Sequence, residues 1–179
     1  MNVPNGLTLL RILLAPTIVI ELLYGYTGAA LLTFLAAAIT DGLDGFVARS
    51  RRQRTELGRV LDPLADKALL ASAFVTLAVR GDLPLWLAII GVSRDVMLMV
   101  GSLVLYILAG RLGNPPSALG KVTTALQLGT VLLAMSVDLR PALRPALAPT
   151  VWVTAAATVL SGLHYLVVGV RQLAAGTAS

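Results

Sequence analysis

The chain has no cysteine and a single histidine. Disulfides are thereby excluded, and zinc, iron–sulfur and haem sites are left with almost no thiolate or imidazole donors. Charge is scarce too, at 13% of residues against roughly 25% in an average soluble domain. With three phenylalanines and no basic domain there is no platform for nucleic acid. What is abundant is apolar: 57% of residues are hydrophobic and the mean hydropathy is +0.86.

Six apolar stretches, about 6–26, 28–50, 58–80, 84–110, 117–138 and 148–172, are each long enough to cross a hydrocarbon core of ~30 Å at 1.5 Å rise per residue. The chain reads as an all-α integral membrane protein, a bundle of six transmembrane helices that uses residues 1–179 as one domain. Turns are expected at Tyr24-Gly25-Tyr26-Thr27-Gly28, at Arg80-Gly81-Asp82-Leu83-Pro84 and from Gly110 to Pro116. A basic run from Ser50 to Glu56 and a proline-punctuated loop from Asp138 to Thr150 make the other breaks. Six crossings put both termini on the side of Arg51, Arg52, Arg54, Arg111 and Arg171, with Arg80, Arg140 and Arg144 opposite. The positive-inside rule makes the first side cytoplasmic, and the net charge of +5 suits a surface facing anionic lipid. The first stretch has no basic segment before it and carries Arg11 and Pro16 inside it, so it is read as a mature helix and not as a signal peptide.

Nine acidic residues stand against this background, and four aspartates, Asp41, Asp44, Asp62 and Asp66, fall within 26 residues. Spacings of three and four place each pair on one face of a helix. An Asp at the centre of a membrane helix costs about 2.5–3.5 kcal/mol on insertion scales, so four cost on the order of 10 kcal/mol. Divalent cations neutralise them most simply, because hard oxygen ligands converging from two helices suit Mg²⁺ or Mn²⁺. Carboxylates in a helical bundle also line cation transporters and channels. Arg49 would repel a permeating cation, Gly45 and Gly58 have no evident reason in such a path, and no internal repeat of the transporter kind is present.

The segment reads D-x2-D-G-x2-A-R-x8-G-x3-D-x3-D through Asp41, Asp44, Gly45, Ala48, Arg49, Gly58, Asp62 and Asp66. It resembles, without departure at any of these positions, the signature of the CDP-alcohol phosphatidyltransferases. The resemblance implies transfer of a phosphatidyl group from CDP-diacylglycerol to an alcohol with release of CMP, in a membrane-embedded homodimer whose active site faces the cytoplasm. It implies Asp41, Asp44, Asp62 and Asp66 as ligands of two Mg²⁺ or Mn²⁺ ions, with Asp66 also the general base. It implies Asn5, Thr8, Gly45, Ala48, Arg49, Thr55 and Gly58 as contacts of CDP-diacylglycerol, although Asn5 and Thr8 are equally suited to capping a helix start.

The likeness extends further. The run from Asn2 to Arg11, Leu61 to Lys67, and Gly120-Lys121 with Thr124 and Gln127 are similar to the branch that makes phosphatidylglycerophosphate or cardiolipin. Ser93-Arg94-Asp95-Val96-Met97-Leu98 is more similar to the cardiolipin synthases of that branch. The expected acceptor is therefore phosphatidylglycerol, with glycerol 3-phosphate the alternative and Arg94 and Lys121 the acceptor-binding residues. Arg94, about ten residues into the fourth helix, either binds the acceptor's phosphate or pairs with a carboxylate in the bundle. Lys121 either binds phosphate or anchors at the interface. Asp95 is expected in a structural pairing, and Pro63 either to bend the third helix or to free a carbonyl beside Asp62.

Overall fold

The structure, a computed structural model, describes the backbone of residues 3–51, 56–109 and 117–176 and the side chains of 10–40, 64–65, 67–104, 107 and 117–171. The described chain is all-helical: α1 Val3–Leu23, α2 Thr27–Arg51, α3 Glu56–Arg80, α4 Leu85–Ala109, α5 Ala118–Leu139 and α6 Arg144–Gly176, with one 3₁₀ turn at Pro141–Leu143. α1 packs against α2 and α3, α5 touches both of those helices, and α6 closes the bundle against α4 and α5.

Two of the expected turns have a specific chemistry. Gly25 and Gly81 adopt φ of +80° and +87°, the left-handed region open to residues without a Cβ. At α1 the Gly25 amide donates to the Leu22 carbonyl and the Tyr26 amide to that of Glu21; at α3 Gly81 donates to Ala78 and Asp82 to Leu77. These bonds satisfy carbonyls that the helix itself leaves open. α5 begins where Ser117, extended at φ −61° and ψ 155°, accepts from the Gly120 amide.

The loop expected from Asp138 to Thr150 is mostly helical. α5 continues to Leu139 and α6 starts at Arg144, four residues before the apolar stretch that marked it. Pro145 falls in the first helical turn, where its missing N–H has no intrahelical partner to lose, so only Pro149 costs a bond. The breaks at 52–55 and 110–116 lie outside the described residues, and α3 runs on through Pro63.

Among the described residues three segments are long and apolar enough to cross a membrane: Leu85–Val104, Ala118–Leu139 and Pro141–Arg171. Thr27–Thr40 is a shorter apolar helix. The first half of α3 is interrupted by Asp62, Asp66 and Lys67, which is where an apolar window fails and where the signature sits. Ile18, Leu22, Phe34, Leu77, Leu87 and Met135 form the buried centre. Leu13, Leu32, Val79, Ile107, Leu163 and Val170 face outward, as side chains solvated by lipid would. Trp86 and Trp152 pair at 5.2 Å near the starts of α4 and α6, and aromatic residues of this kind collect at membrane boundaries.

At that same end Arg80 ties four elements. Its Nη1 donates to the Leu22 carbonyl at 2.8 Å and to Thr27 Oγ1 at 3.2 Å, its Nη2 to Asp138 at 3.2 Å, and its Nε lies 2.9 Å from Asp82. The Thr27 hydroxyl donates to Asp138 as well. Burial raises the Asp82 carboxyl above its ordinary value, Arg80 opposes this, and Asp138 adds to it.

A second polar feature was not expected from the sequence. Along the α5–α6 seam Thr130 and Thr154 share a hydrogen bond of 2.7 Å, and Thr123 donates across to the Ala157 carbonyl at 3.1 Å. Gln127 Nε2 reaches Thr158 at 3.5 Å, a long contact. Between helices that gain nothing from apolar burial in lipid, such hydroxyls and small residues supply the association.

Candidate active site

Asp41, Asp44, Gly45, Ala48 and Arg49 lie on the second half of α2, and Gly58, Asp62 and Asp66 on the first half of α3. The helical register expected from the spacing therefore holds on both helices. Side-chain placement for these residues, and for Asn5 and Thr8 on α1, lies outside the description, as does Thr55 altogether. Among the described side chains there is no cluster of three or more His, Cys, Asp or Glu. The donor set that the two helices carry nevertheless fits a hard divalent ion: four carboxylates, two from each helix. By register, the rows of α3 that run on from positions 62 and 66 pass through Ala65, Leu69, Leu70 and Ala73, all buried. These four residues belong to the face of α3 that packs into the bundle.

Beyond Asp66 the described side chains resume at Lys67. Lys67 Nζ stands 2.6 Å from Asp95 Oδ1 on α4, and Arg94 Nη1 donates to the same oxygen at 2.8 Å. Arg94 Nη2 donates to Ser161 Oγ on α6 at 2.6 Å, and the guanidinium lies 5.9 Å from the Tyr165 ring centroid. The Tyr165 hydroxyl accepts from the Ser117 amide at 2.8 Å. A polar chain thus crosses from α3 through α4 and α6 to the start of α5. Arg94 is 5% exposed, so its charge sits in the bundle interior and must be paired there.

Of the two roles left open for Arg94, pairing with a carboxylate is the one seen. The expected structural pairing of Asp95 is also seen, with Arg94 itself despite their adjacent positions, and with Lys67. Lys121 is exposed on the first turn of α5. Its neighbour Gly120 is the residue that approaches Arg94, since a Cβ there would lie 3.3 Å from Arg94 Nη2. Arg11 is buried, at 3% exposed. Sequence reasoning missed Lys67, Ser161 and Tyr165. The available signal was a lysine deep in a membrane helix, which needs a counter-ion, and a Ser and Tyr four apart on one face of α6.

Among the described residues, six helices of which three contain spans long and apolar enough for a bilayer point to a multi-pass helical membrane protein. The particular class follows from comparison with known proteins. The sequence profile of CDP-alcohol phosphatidyltransferase matches residues 1–164. The chain is 35% identical to a probable phosphatidylglycerophosphate synthase of Mycobacterium tuberculosis, over 96% of this chain and 83% of that protein. It is 33% identical to the CDP-diacylglycerol–glycerol-3-phosphate 3-phosphatidyltransferase of Bacillus subtilis, covering 92% and 93%. It is also 33% identical to the cardiolipin synthase (CMP-forming) of Homo sapiens, covering 92% and 61%. The chain belongs to the CDP-alcohol phosphatidyltransferase family. That membership displaces the cation-transporter alternative.

Proposed function

We propose that the protein transfers the phosphatidyl group of CDP-diacylglycerol to phosphatidylglycerol, giving cardiolipin and CMP. The observation that carries the transferase reading is the uninterrupted signature from Asp41 to Asp66, set on two helices inside a match spanning 164 residues. In this reading Asp66 accepts the proton of the acceptor hydroxyl. The acceptor oxygen bonds to the phosphorus bearing the diacylglycerol, the bond from that phosphorus to the bridging oxygen breaks, and CMP leaves with the electron pair. Asp41, Asp44, Asp62 and Asp66 would hold two Mg²⁺ or Mn²⁺ ions, which supply charge stabilisation to the diphosphate and the leaving CMP. Arg49 offers a fork of donors to the same diphosphate. Gly45, Ala48 and Gly58 leave room for the nucleotide against the helix backbone, with Asn5, Thr8 and Thr55 as further contacts of the CDP group.

Of the two acceptor-binding residues expected, Lys121 is assigned to the acceptor and Arg94 to the interior pairing. Arg94 has both terminal nitrogens engaged, by Asp95 and Ser161, whereas Lys121 is exposed on the first turn of α5. One exposed cation matches the single charge of a phosphodiester better than the double charge of a phosphomonoester, which supports phosphatidylglycerol. The second reading, glycerol 3-phosphate as acceptor, is favoured by the named activity of the Mycobacterium and Bacillus relatives. In both readings six helices span the membrane, the arginine-rich side and the active site face the cytoplasm, and two copies form a dimer.

The test is CMP release from CDP-diacylglycerol by purified protein with Mg²⁺ or Mn²⁺, offering phosphatidylglycerol, glycerol 3-phosphate or inositol phosphate. Release with phosphatidylglycerol alone is the expected result, and release with glycerol 3-phosphate alone would replace it by the second reading. Asp66→Asn should lower the rate by about 10²–10⁴-fold, the usual worth of a general base; full activity in that variant would refute the assignment.

A further inference from the structure

One carboxylate in the described interior serves two cations. Asp95 Oδ1 accepts from Lys67 Nζ at 2.6 Å and from Arg94 Nη1 at 2.8 Å. The Asp95 side chain is 14% exposed and that of Lys67 28%. Arg94 has other ties, to Ser161 at 2.6 Å and to the face of Tyr165. Lys67 is different, because Asp95 is its sole ion-pair partner among the described residues. It also directly follows Asp66 and lies five residues from Asp62.

An ammonium on a flexible four-carbon stem goes to the nearest carboxylate that will have it, and in a low-dielectric interior that attraction is strong. Without Asp95, the carboxylates closest to Lys67 along α3 are those of the signature. A lysine seated there would cancel charge that a divalent ion needs and would occupy its oxygen ligands. Arg94 poses no equal threat, since its planar fork is fixed on two sides.

We propose that Asp95 is a positioning residue for metal loading, a dedicated counter-ion that keeps Lys67 off the signature aspartates so that these remain free for divalent cations. The inference rests on the metal assignment above and goes beyond the signature, which includes neither Asp95 nor Lys67.

The test is Mn²⁺ binding to the purified full-length chain, read from the loss of the free-ion electron paramagnetic resonance signal, with no turnover involved. Asp95→Asn keeps an oxygen for Arg94 but cannot neutralise Lys67, and should weaken Mn²⁺ binding by about tenfold. Adding Lys67→Met to Asp95→Asn should restore parental affinity, which a merely structural role for Asp95 would not allow. Unchanged binding in Asp95→Asn, or no recovery in the double variant, overturns the inference and leaves the metal assignment standing. A parent chain that binds no Mn²⁺ overturns both. If Asp95→Asn does not fold, Lys67→Met alone decides: it must bind Mn²⁺ at least as tightly as the parent, and weaker binding overturns the proposal.

Discussion

Gly120→Ala is a change of one methyl group that the structure says will be felt. A Cβ built there lies 2.9 Å from the Tyr165 hydroxyl oxygen, 3.3 Å from Tyr165 Cε2 and 3.3 Å from Arg94 Nη2. None of these atoms gives way cheaply. The Tyr165 hydroxyl is held by the Ser117 amide at 2.8 Å, its ring packs edge-on against His164 at 5.9 Å, and Arg94 is fixed by Asp95 and Ser161. Overpacking costs about 1–3 kcal/mol, and pushing Tyr165 off the Ser117 amide adds about 1 kcal/mol. The helix preference of alanine over glycine, about 1 kcal/mol in a helix interior, offsets part of this. The net expectation is a loss of about 1–3 kcal/mol, or roughly 2–12 °C in Tm for a chain of this size.

Tyr165→Phe alone should cost about 1 kcal/mol, but in combination it removes the atom at 2.9 Å. The double variant should therefore be about 1 kcal/mol more stable than the sum of the single losses. Gly129→Ala is the internal control, since nothing lies within 4 Å of a Cβ there, and it should gain about 0.5–1 kcal/mol from helix preference alone. Thermal unfolding of the detergent-solubilised protein reads all four variants. Strict additivity of Gly120→Ala and Tyr165→Phe, or a Gly120→Ala variant as stable as Gly129→Ala, would refute the described packing.

Arg80→Met removes the bonds that Arg80 itself makes at the α3 terminus, sparing the one from Thr27 to Asp138, and leaves Asp138 and Asp82 without this cation; because the side chain is partly exposed, the loss should be about 2–3 kcal/mol, below that of a fully buried pair, and an unchanged denaturation midpoint would count against it. For Asp82, the folded-state carboxyl is raised from 3.8, so the folded chain holds that proton more tightly than the unfolded one. Its contribution to stability is full below the unfolded value and is lost as pH rises through the folded one. The Tm of the parent minus that of Asp82→Asn should therefore fall as pH rises above the ordinary carboxylate value of 3.8, and a difference that grows in that direction would contradict the burial of this group. Chelation with EDTA should abolish CMP release, with recovery on adding Mg²⁺ or Mn²⁺, and release that persists in EDTA would remove the metal from the reaction.

How much of this was legible depends on whether the cause is local. Gly25 and Gly81 announced helix ends because a left-handed residue is a property of a few consecutive positions. The aspartate spacing placed two carboxylates per helix for the same reason, and the structure puts both pairs on helices. The start of α6 was missed because prolines at 145 and 149 look like breakers in a linear reading, whereas a helix start tolerates the first of them. The pairing of Lys67 with Asp95 was illegible because it joins residues 28 positions apart on different helices, and nothing in either local pattern names the other. The threonine seam was hidden likewise, since Thr123, Thr130, Thr154 and Thr158 look like ordinary members of two apolar spans until the spans are laid together.

The Arg80 knot fixes one end of the bundle. It joins the end of α1, the start of α2, α3 and α5, while Asp66 lies fourteen residues away along α3, roughly 21 Å at 1.5 Å per residue. At the other end of that stretch Lys67 is held by Asp95, whose oxygen Arg94 shares while reaching Ser161 on α6. A helix held at two separated points cannot pivot about either one, so these two polar clusters together set the tilt of α3, and with it the depth at which the second half of the signature sits in the bundle.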